Sequence, residues 1–228
     1  MVNYMEKRGP KPKRKEVFWS SEMAYAVGLL VTDGSLSVDG RHIDFTSKDV
    51  EQLENFMACI GRKVTIGTKV PTFGTAPVPR IQFSDVTLYT FLISIGLIPN
   101  KSKILGEILV PEEYFSDFLR GHHDGDGAFT SYYDPRWKNS FMFYTTFLSA
   151  SEAHITWLRE RIRILLGIAG HISTTKKSCV LQLRYAKKES LVLLAYMYPS
   201  TRVIALSRKR LKIEKALGIV GLTLPSRE

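Results

Sequence analysis

The sequence predicts an α+β fold built twice on one plan, helix-hairpin-helix-hairpin-helix, with the two halves related by pseudo-symmetry. Three observations carry this. Two short helical runs, Tyr25 to Leu36 and Phe118 to Phe129, each stop at an Asp-Gly pair and lead into strand-like alternation. After each, the apolar period switches between helical and strand spacing in the same order. The halves also echo one another at roughly a hundred residues, a duplication rather than a solenoid. Phe45 and Ser47 are repeated as Phe147 and Ser149, and Ile81-Gln82-Phe83 as Leu181-Gln182-Leu183.

Residues 1–16 form a basic tail, with Lys7, Arg8, Lys11, Lys13, Arg14 and Lys15 broken by Gly9, Pro10 and Pro12. Proline and charge argue against a helix there, and such an arm suits phosphates or a minor groove. The first half spans 17–99. Ser20 or Ser21 is a natural N-cap with Glu22 just inside, and a helix runs to about Thr32, where Gly34 ends it. Ser35 to Thr46 alternates across Asp39-Gly40, a strong hairpin signal, with Leu36, Val38, Ile43 and Phe45 on one face. Lys48 to Ile60 has helical spacing of Val50, Leu53, Phe56, Met57 and Ile60, and Gly61 closes it. A second hairpin joins Arg62–Val70 to Arg80–Ser84 through a Pro/Gly-rich loop. Val86 to Ile95 is a third helix, ending at Gly96.

A linker at 100–110 leads to the second half, 111–228. Pro111 followed by Glu112 and Glu113 opens a helix, proline first and acid in the first turn. Phe129 to Phe147 reads as a hairpin around Asp134-Pro135-Arg136, and Ser151 to Leu166 as a helix closed by Gly167. His171 to Tyr185 holds another hairpin. Glu189 to Met197 and Ser207 to Leu217 are helical.

The chain has 228 residues, 44% of them hydrophobic, enough for two small cores. No apolar stretch reaches membrane-spanning length and no signal-peptide pattern opens the chain. Cys59 and Cys179 lie far apart and read as core residues of a reduced, intracellular protein, cytoplasmic or organellar and not secreted. His122 and His123 are neighbours on a helix, so they point about 100° apart and do not share a metal. A net charge of +10 favours a polyanionic partner. Without a basic amphipathic helix to suit a membrane, nucleic acid leads.

The two Asp-Gly helices carry the chemistry. Small residues recur every fourth position, Ala24, Gly28 and Thr32 in one and Asp117, Gly121 and Gly125 in the other. Such faces let two helix backbones approach closely. Their C-terminal ends would then meet, bringing Asp33 beside Asp126. Carboxylates are disfavoured at the negative end of a helix, and two side by side repel. A divalent cation between them removes that cost, and hard cations such as Mg²⁺ take carboxylate oxygens while keeping waters for chemistry.

Both stretches resemble the signature helix of the LAGLIDADG homing endonucleases. Lined up on the final Asp-Gly, the copies are Ala26-Val27-Gly28-Leu29-Leu30-Val31-Thr32-Asp33-Gly34 and Leu119-Arg120-Gly121-His122-His123-Asp124-Gly125-Asp126-Gly127. The third-position Gly and the closing Asp-Gly match in both. Val31 and Thr32 depart from the family's Asp-Ala, and Arg120, His122 and His123 are polar where the family is apolar. The resemblance implies a single-chain, monomeric endonuclease on double-stranded DNA. It would cut each strand once, with Mg²⁺ (Mn²⁺ or Ca²⁺ as substitutes) held by Asp33 and Asp126 beside Gly34 and Gly127. It also implies a basic residue per site. Lys101 and Lys209, each following its half's last hairpin and helix, are the candidates, with Lys103 and Arg208 as near alternatives. A polar residue at the end of the second strand often orients water in the family. Ser47 and Ser149 hold that place, although strict alternation puts Ser47 on the apolar face.

Each sheet should turn one apolar face to its helices and leave a polar, basic face open, the two forming a long saddle. A two-stranded ribbon fits the major groove, where Arg and Lys contact guanine and Gln and Asn adenine. The candidate readers in the first half are Ser35, Ser37, His42, Lys63, Thr65, Lys69, Arg80 and Gln82. In the second half they are Ser131, Tyr133, Lys138, Asn139, Ser173, Thr175, Lys176, Gln182 and Arg184. A non-cleaving DNA-binding regulator and an RNA-binding splicing helper are the alternatives on the same fold. The presence of both aspartates favours cleavage.

Overall fold

A computed structural model describes residues 16–70, 76–175 and 178–225, with the side chains of 175–179 left aside. Nearly all of the basic tail and Lys176 therefore lie outside the described residues, as does the side chain of Thr175. The first half runs α1 (Ser21–Asp33), β1 (Gly34–Leu36), β2 (His42–Thr46), α2 (Val50–Cys59), β3 (Gly67–Lys69), β4 (Val78–Ser84) and α3 (Val86–Ser94). The second runs α4 (Phe115–Asp124), β5 (Ala128–Tyr133), β6 (Phe141–Ser149), α5 (Glu152–Leu166), β7 (His171–Thr175), β8 (Ser178–Ala186), α6 (Lys187–Met197) and α7 (Ser207–Ile219). Each half holds a four-stranded antiparallel sheet, in the orders β1-β2-β4-β3 and β5-β6-β8-β7. The repeated plan read from the sequence is therefore present.

Local chemistry sets the helix ends. Ser20 caps α1, its hydroxyl accepting the Met23 N–H at 3.1 Å. Asp85 and Ser151 cap α3 and α5 in the same way. Gly167, at φ +68°, supplies the left-handed residue that stops α5. The core faces bury Leu36, Ile43, Phe45, Ile81 and Phe83 in the first sheet, and Phe129, Phe143, Phe147, Leu183 and Tyr185 in the second. Burying each large side chain contributes roughly 2 kcal/mol. Among the described residues no helix is long and apolar enough to cross a membrane.

The seam between the halves is α1 against α4, and glycine makes it possible. A Cβ on Gly28 would lie 2.3 Å from the Phe118 carbonyl oxygen, and one on Gly121 would lie 2.1 Å from that of Tyr25. Both are backbone atoms that no rotamer change can move. A Cβ on Gly125 would meet the Thr32 hydroxyl oxygen at 1.9 Å. The four-residue spacing of small residues therefore marks the helix contact, as expected.

Some boundaries differ from the sequence reading. Val38, placed on the apolar face, is 81% exposed, because β1 stops at Leu36 and Val38 falls in the turn. α2 begins at Val50 rather than Lys48, since the Ser47 hydroxyl takes the Asp49 N–H and holds the preceding chain in a turn. The first arm of the second hairpin shrinks to Gly67–Lys69. Contacts with Met57, from the Arg62 and Val64 N–H groups, hold the preceding chain to α2 and off the sheet edge. Lys63 and Thr65 are exposed but belong to no strand. Pro111 introduces a 3₁₀ turn, Glu112–Tyr114, before α4. That helix ends at Asp124, so Asp126 stands in the turn beyond it.

Candidate functional site

The carboxylates converge. Asp33 is the last residue of α1 and Asp126 lies just past α4. A Cβ on Gly125 would sit 3.0 Å from Oδ2 of Asp33, so Asp33 lies against the turn that carries Asp126. Burial first, and then the nearby Asp126 charge, push the Asp33 carboxyl up to about 7. Asp126 is also raised by the protein around it, although it reaches solvent at the rim. Asp124, fully buried, is pushed to about 6 by burial. Its Oδ2 accepts hydrogen bonds from Tyr25 and the Leu206 N–H, each at 2.8 Å, and these tie α4 to α1 and to the start of α7.

A lysine stands at each side. Lys101 begins a 3₁₀ turn in the connection between halves, and its ammonium donates to the Gly34 carbonyl. Lys209, in the first turn of α7, donates to the carbonyls of His123, Gly125 and Gly127 at 2.6, 2.8 and 2.7 Å. Both are buried, which holds each down to about 8 against the opposing pull of the acids. The carbonyls of Gly34 and Gly127, expected near the metal, thus already serve as lysine acceptors. Of the alternatives, Lys103 is exposed, and Arg208 makes a two-bond ion pair with Asp49.

A cavity of about 260 Å³ opens beside Asp126, lined by Thr32, Lys101, Ser102, Ser149 and two histidines. Ser149 therefore stands where the sequence put it, with its hydroxyl accepting the Ser151 N–H at 3.1 Å. Its counterpart Ser47 is buried and donates to Gln52 at 2.7 Å, so it works as a helix-start brace. The sequence reading missed the histidine pair. His154 hydrogen-bonds the Gly106 carbonyl through Nδ1 at 2.8 Å, and its Nε2 lies 3.2 Å from that of His122. With Nδ1–H donated, the His154 Nε2 accepts and His122 supplies the proton. Burial holds both rings neutral, His154 at about 4. The pair joins α5 to α4, and the Gly106 bond ties α5 to the connection that carries Lys101, helped by the Ser151 hydroxyl on the Leu105 carbonyl. No spacing within the sequence would have joined His122 to His154.

Each sheet leaves the site's end of the seam, since β1 follows Asp33 and β5 follows Gly127. On the solvent face of the first sheet lie Ser35, His42, Arg80, Gln82 and, at the edge, Lys69, with Ser37 just past β1. Arg80 is paired with Asp44 and His42 with Asp39. On the second sheet Ser173, Gln182 and Arg184 share the solvent face. Alternation from buried Phe129 puts Ser131 and Tyr133 on the core-facing side instead, and Tyr133 packs edge-on against Phe141 at 5.0 Å. The solvent-facing residues of β5 are Thr130 and Tyr132. Tyr132 stacks on Tyr144 at 6.1 Å, and the Arg184 guanidinium lies over Tyr144 at 5.4 Å. Lys138 and Asn139 sit exposed in the β5–β6 loop.

Neither family models nor curated proteins match the sequence. Solved structures do. The homing endonuclease I-WcaI bound to its DNA recognition sequence is 12% identical, with a TM-score of 0.60 over 90% of this chain and 95% of that one. The meganuclease I-SmaMI, bound to uncleaveable DNA, is 14% identical, with a TM-score of 0.57 over 89% and 93%. Full-length WhiA from Thermatoga maritima is 18% identical, with a TM-score of 0.55 over 90% of this chain and 62% of that one. This chain therefore spans less than two thirds of that WhiA. Two four-stranded antiparallel sheets joined along paired, glycine-contacting helices are the LAGLIDADG fold, and this chain has it.

Proposed function

We propose that this chain is a site-specific endonuclease of double-stranded DNA, hydrolysing one phosphodiester in each strand with a divalent metal. The observation that carries the reading is the meeting of Asp33 and Asp126, from separate halves, beside two buried lysines at the end of the seam from which both sheets depart. Two carboxylates raised by burial, Asp33 by the Asp126 charge as well, are a poor arrangement for stability alone and a good one for a hard cation. Among the described residues no group of three or more His, Cys, Asp or Glu is placed to hold a metal ion.

Asp33 and Asp126 would hold the cation, whose charge would favour their ionised form. A bound Mg²⁺ supplies an activated water and stabilises charge on the phosphate and the leaving oxygen. The remaining work belongs to the chain. Lys101 faces the scissile phosphate from the cavity, and Ser149 lies within the same recess to orient water. Lys69, Arg80, Gln82, Gln182 and Arg184 meet the duplex from the solvent faces, phosphate contacts fixing register and base contacts giving specificity. Because one chain supplies both aspartates, a monomer completes the acid pair.

The test uses plasmids carrying randomised inserts, incubated with Mg²⁺ and then with EDTA. Metal-dependent cutting of a subset of sequences is expected, and Asp126→Asn should bind that subset and leave it uncut. Cutting by Asp126→Asn at the native rate overturns the site. Binding without metal-dependent cutting of any insert replaces the nuclease with a DNA-binding regulator.

A further inference from the structure

A large aromatic side chain stands outside the core on an ordered turn. Trp137, between β5 and β6, is 70% exposed. Its turn is closed by backbone bonds: the Asp134 N–H donates to the Ser140 carbonyl at 2.8 Å, the Trp137 N–H to that of Asp134 at 3.1 Å, and the Ser140 N–H to that of Trp137 at 2.8 Å. The Arg136 guanidinium adds two bonds to the Asp134 carboxylate. The indole is thus held in water although burial would favour covering it. The other two tryptophans are packed, Trp19 on Phe91 and Trp157 on Phe118. Beside Trp137 opens a shallow recess of about 530 Å³, which Lys138, Asn139, Phe141 and Lys187 also line. Lys187 donates to the Phe141 carbonyl at 3.0 Å, one of the three bonds an ammonium can make. Tyr133, 56% exposed, extends the aromatic wall through its edge contact with Phe141. The recess lies round the end of the sheet from the solvent face. Phe141 has core-facing parity, and the Lys187 ammonium lies 5.8 Å from the ring of Phe143, which shares it.

We propose that this recess takes an unpaired nucleotide of DNA, its base against the Trp137 indole and its phosphate on Lys138 and Lys187. An aromatic wall, two cations and an amide are the complement of a nucleotide, whose base stacks, whose phosphate carries charge and whose edge hydrogen-bonds. A paired base is stacked on both faces and does not reach past the end of a sheet, so the occupant is a nucleotide turned out of the helix or one at a single-stranded end. Tyr132, next to Tyr133 in β5, lies on the face proposed for the duplex, which makes that same DNA the nearest source. The inference rests on DNA as the partner in the proposed function and needs no cleavage. Stacking accepts any base, so the contact anchors a strand without reading it.

The experiment uses the full chain in EDTA, where no strand is cut, and follows tryptophan emission. A short single-stranded DNA of mixed sequence is added, then its blunt duplex, then RNA of the same sequence. Single-stranded DNA should quench the exposed indole saturably. Trp137→Ala should weaken its binding at least about fivefold, the low end of what one stacked base contributes, and Trp137→Phe should recover part of that. Lys138→Gln should lower the slope of log K against log salt by about 0.7, one phosphate of a single strand, while Trp137→Ala leaves the slope unchanged. Blunt duplex should bind native protein and Trp137→Ala alike. Single-strand binding that Trp137→Ala leaves intact overturns the inference, as does RNA bound more tightly than DNA through the same indole. Duplex binding without any single-strand binding overturns the recess alone. Single-strand binding through Trp137 with no duplex binding supports the recess and overturns the endonuclease reading.

Discussion

The halves share one plan and differ in what their polar groups are already doing. On the first sheet's solvent face the polar groups are partly spent, with Arg80 ion-paired to Asp44 and His42 hydrogen-bonded to Asp39. On the second sheet's face the arginine is spent on an aromatic ring, with Arg184 above Tyr144 and Tyr144 against Tyr132. One surface is set up for charge and hydrogen bonding, the other for stacking and apolar contact. The lysines show the reverse bias, since the second half's Lys209 is fully committed and the connecting Lys101 is not. Duplication therefore fixes where a residue stands, and the local hydrogen-bond inventory fixes what it is free to do.

The comparison should break down at the seam, where the halves act as one. Gly28→Ala and Gly121→Ala each drive a Cβ into the partner backbone, at 2.3 and 2.1 Å. The helices must separate, at a cost of ~3 kcal/mol or more, and the two effects should match. Urea unfolding measures both. A variant that loses less than about 1 kcal/mol would mean that the helices slide past the clash more easily than such packing allows. Lys209→Met and Lys101→Met should sharpen the difference between halves. Removing Lys209 uncovers three carbonyls and should cost ~3 kcal/mol, against ~1 kcal/mol for the single carbonyl under Lys101. Equal losses would show that Lys209 is held by fewer bonds than its geometry implies.

Titration offers a smaller contrast. Asp33 carries a folded pKa of about 7 against 3.8 in the open chain. A carboxyl raised in this way costs nothing below pH 3.8, costs more as pH climbs toward 7, and reaches its full penalty above that. Asp33→Asn should therefore raise Tm at pH 8 and leave it nearly unchanged at pH 4. The gain should be ~1–2 kcal/mol once solvent screening of a half-buried group is allowed for. Asp126→Asn should gain less, because Asp126 reaches solvent. Mg²⁺ should raise the native Tm at pH 8 and do so less in Asp33→Asn. A lower Tm for Asp33→Asn at pH 8 would mean that the ionised carboxylate is satisfied by the protein alone.

What the sequence made legible follows from the range of the forces involved. Helix caps, glycine stops and period changes are local, so Ser20, Gly167 and the hairpin at Asp39-Gly40 could be placed from neighbours alone. The seam was legible because a glycine stripe has few other uses. The reader assignment failed at Ser131 and Tyr133 because β5 alternates from buried Phe129, which puts residues of its parity on the core-facing side. It failed at Val38 because a turn ends the pleat. The Ser47 brace, the His122–His154 pair and the three acceptors of Lys209 depend on side chains meeting across elements. Residue types in one dimension carry no record of such meetings.

The smallest effect concerns the first sheet's own acid. Asp44 lies on the solvent face of β2 among the candidate readers, bound to Arg80 and accepting from Thr46 at 3.1 Å. On the proposed DNA surface a carboxylate is a local repulsion, and it also neutralises the guanidinium beside it. Asp44→Asn keeps the shape and frees Arg80. Stability should change by less than ~1 kcal/mol, since the pair is partly solvated. Binding should respond more clearly: if Arg80 then takes a phosphate, log K against log salt should steepen by about 0.9, one counterion's worth. The corresponding change on the other sheet, Tyr144→Phe, leaves the ring under Arg184 and should leave that slope unchanged. Filter binding at several salt concentrations reads both. An unchanged slope for Asp44→Asn would place Arg80 over a base edge or away from DNA altogether, and would shift the first sheet's phosphate contacts to its Lys69 edge.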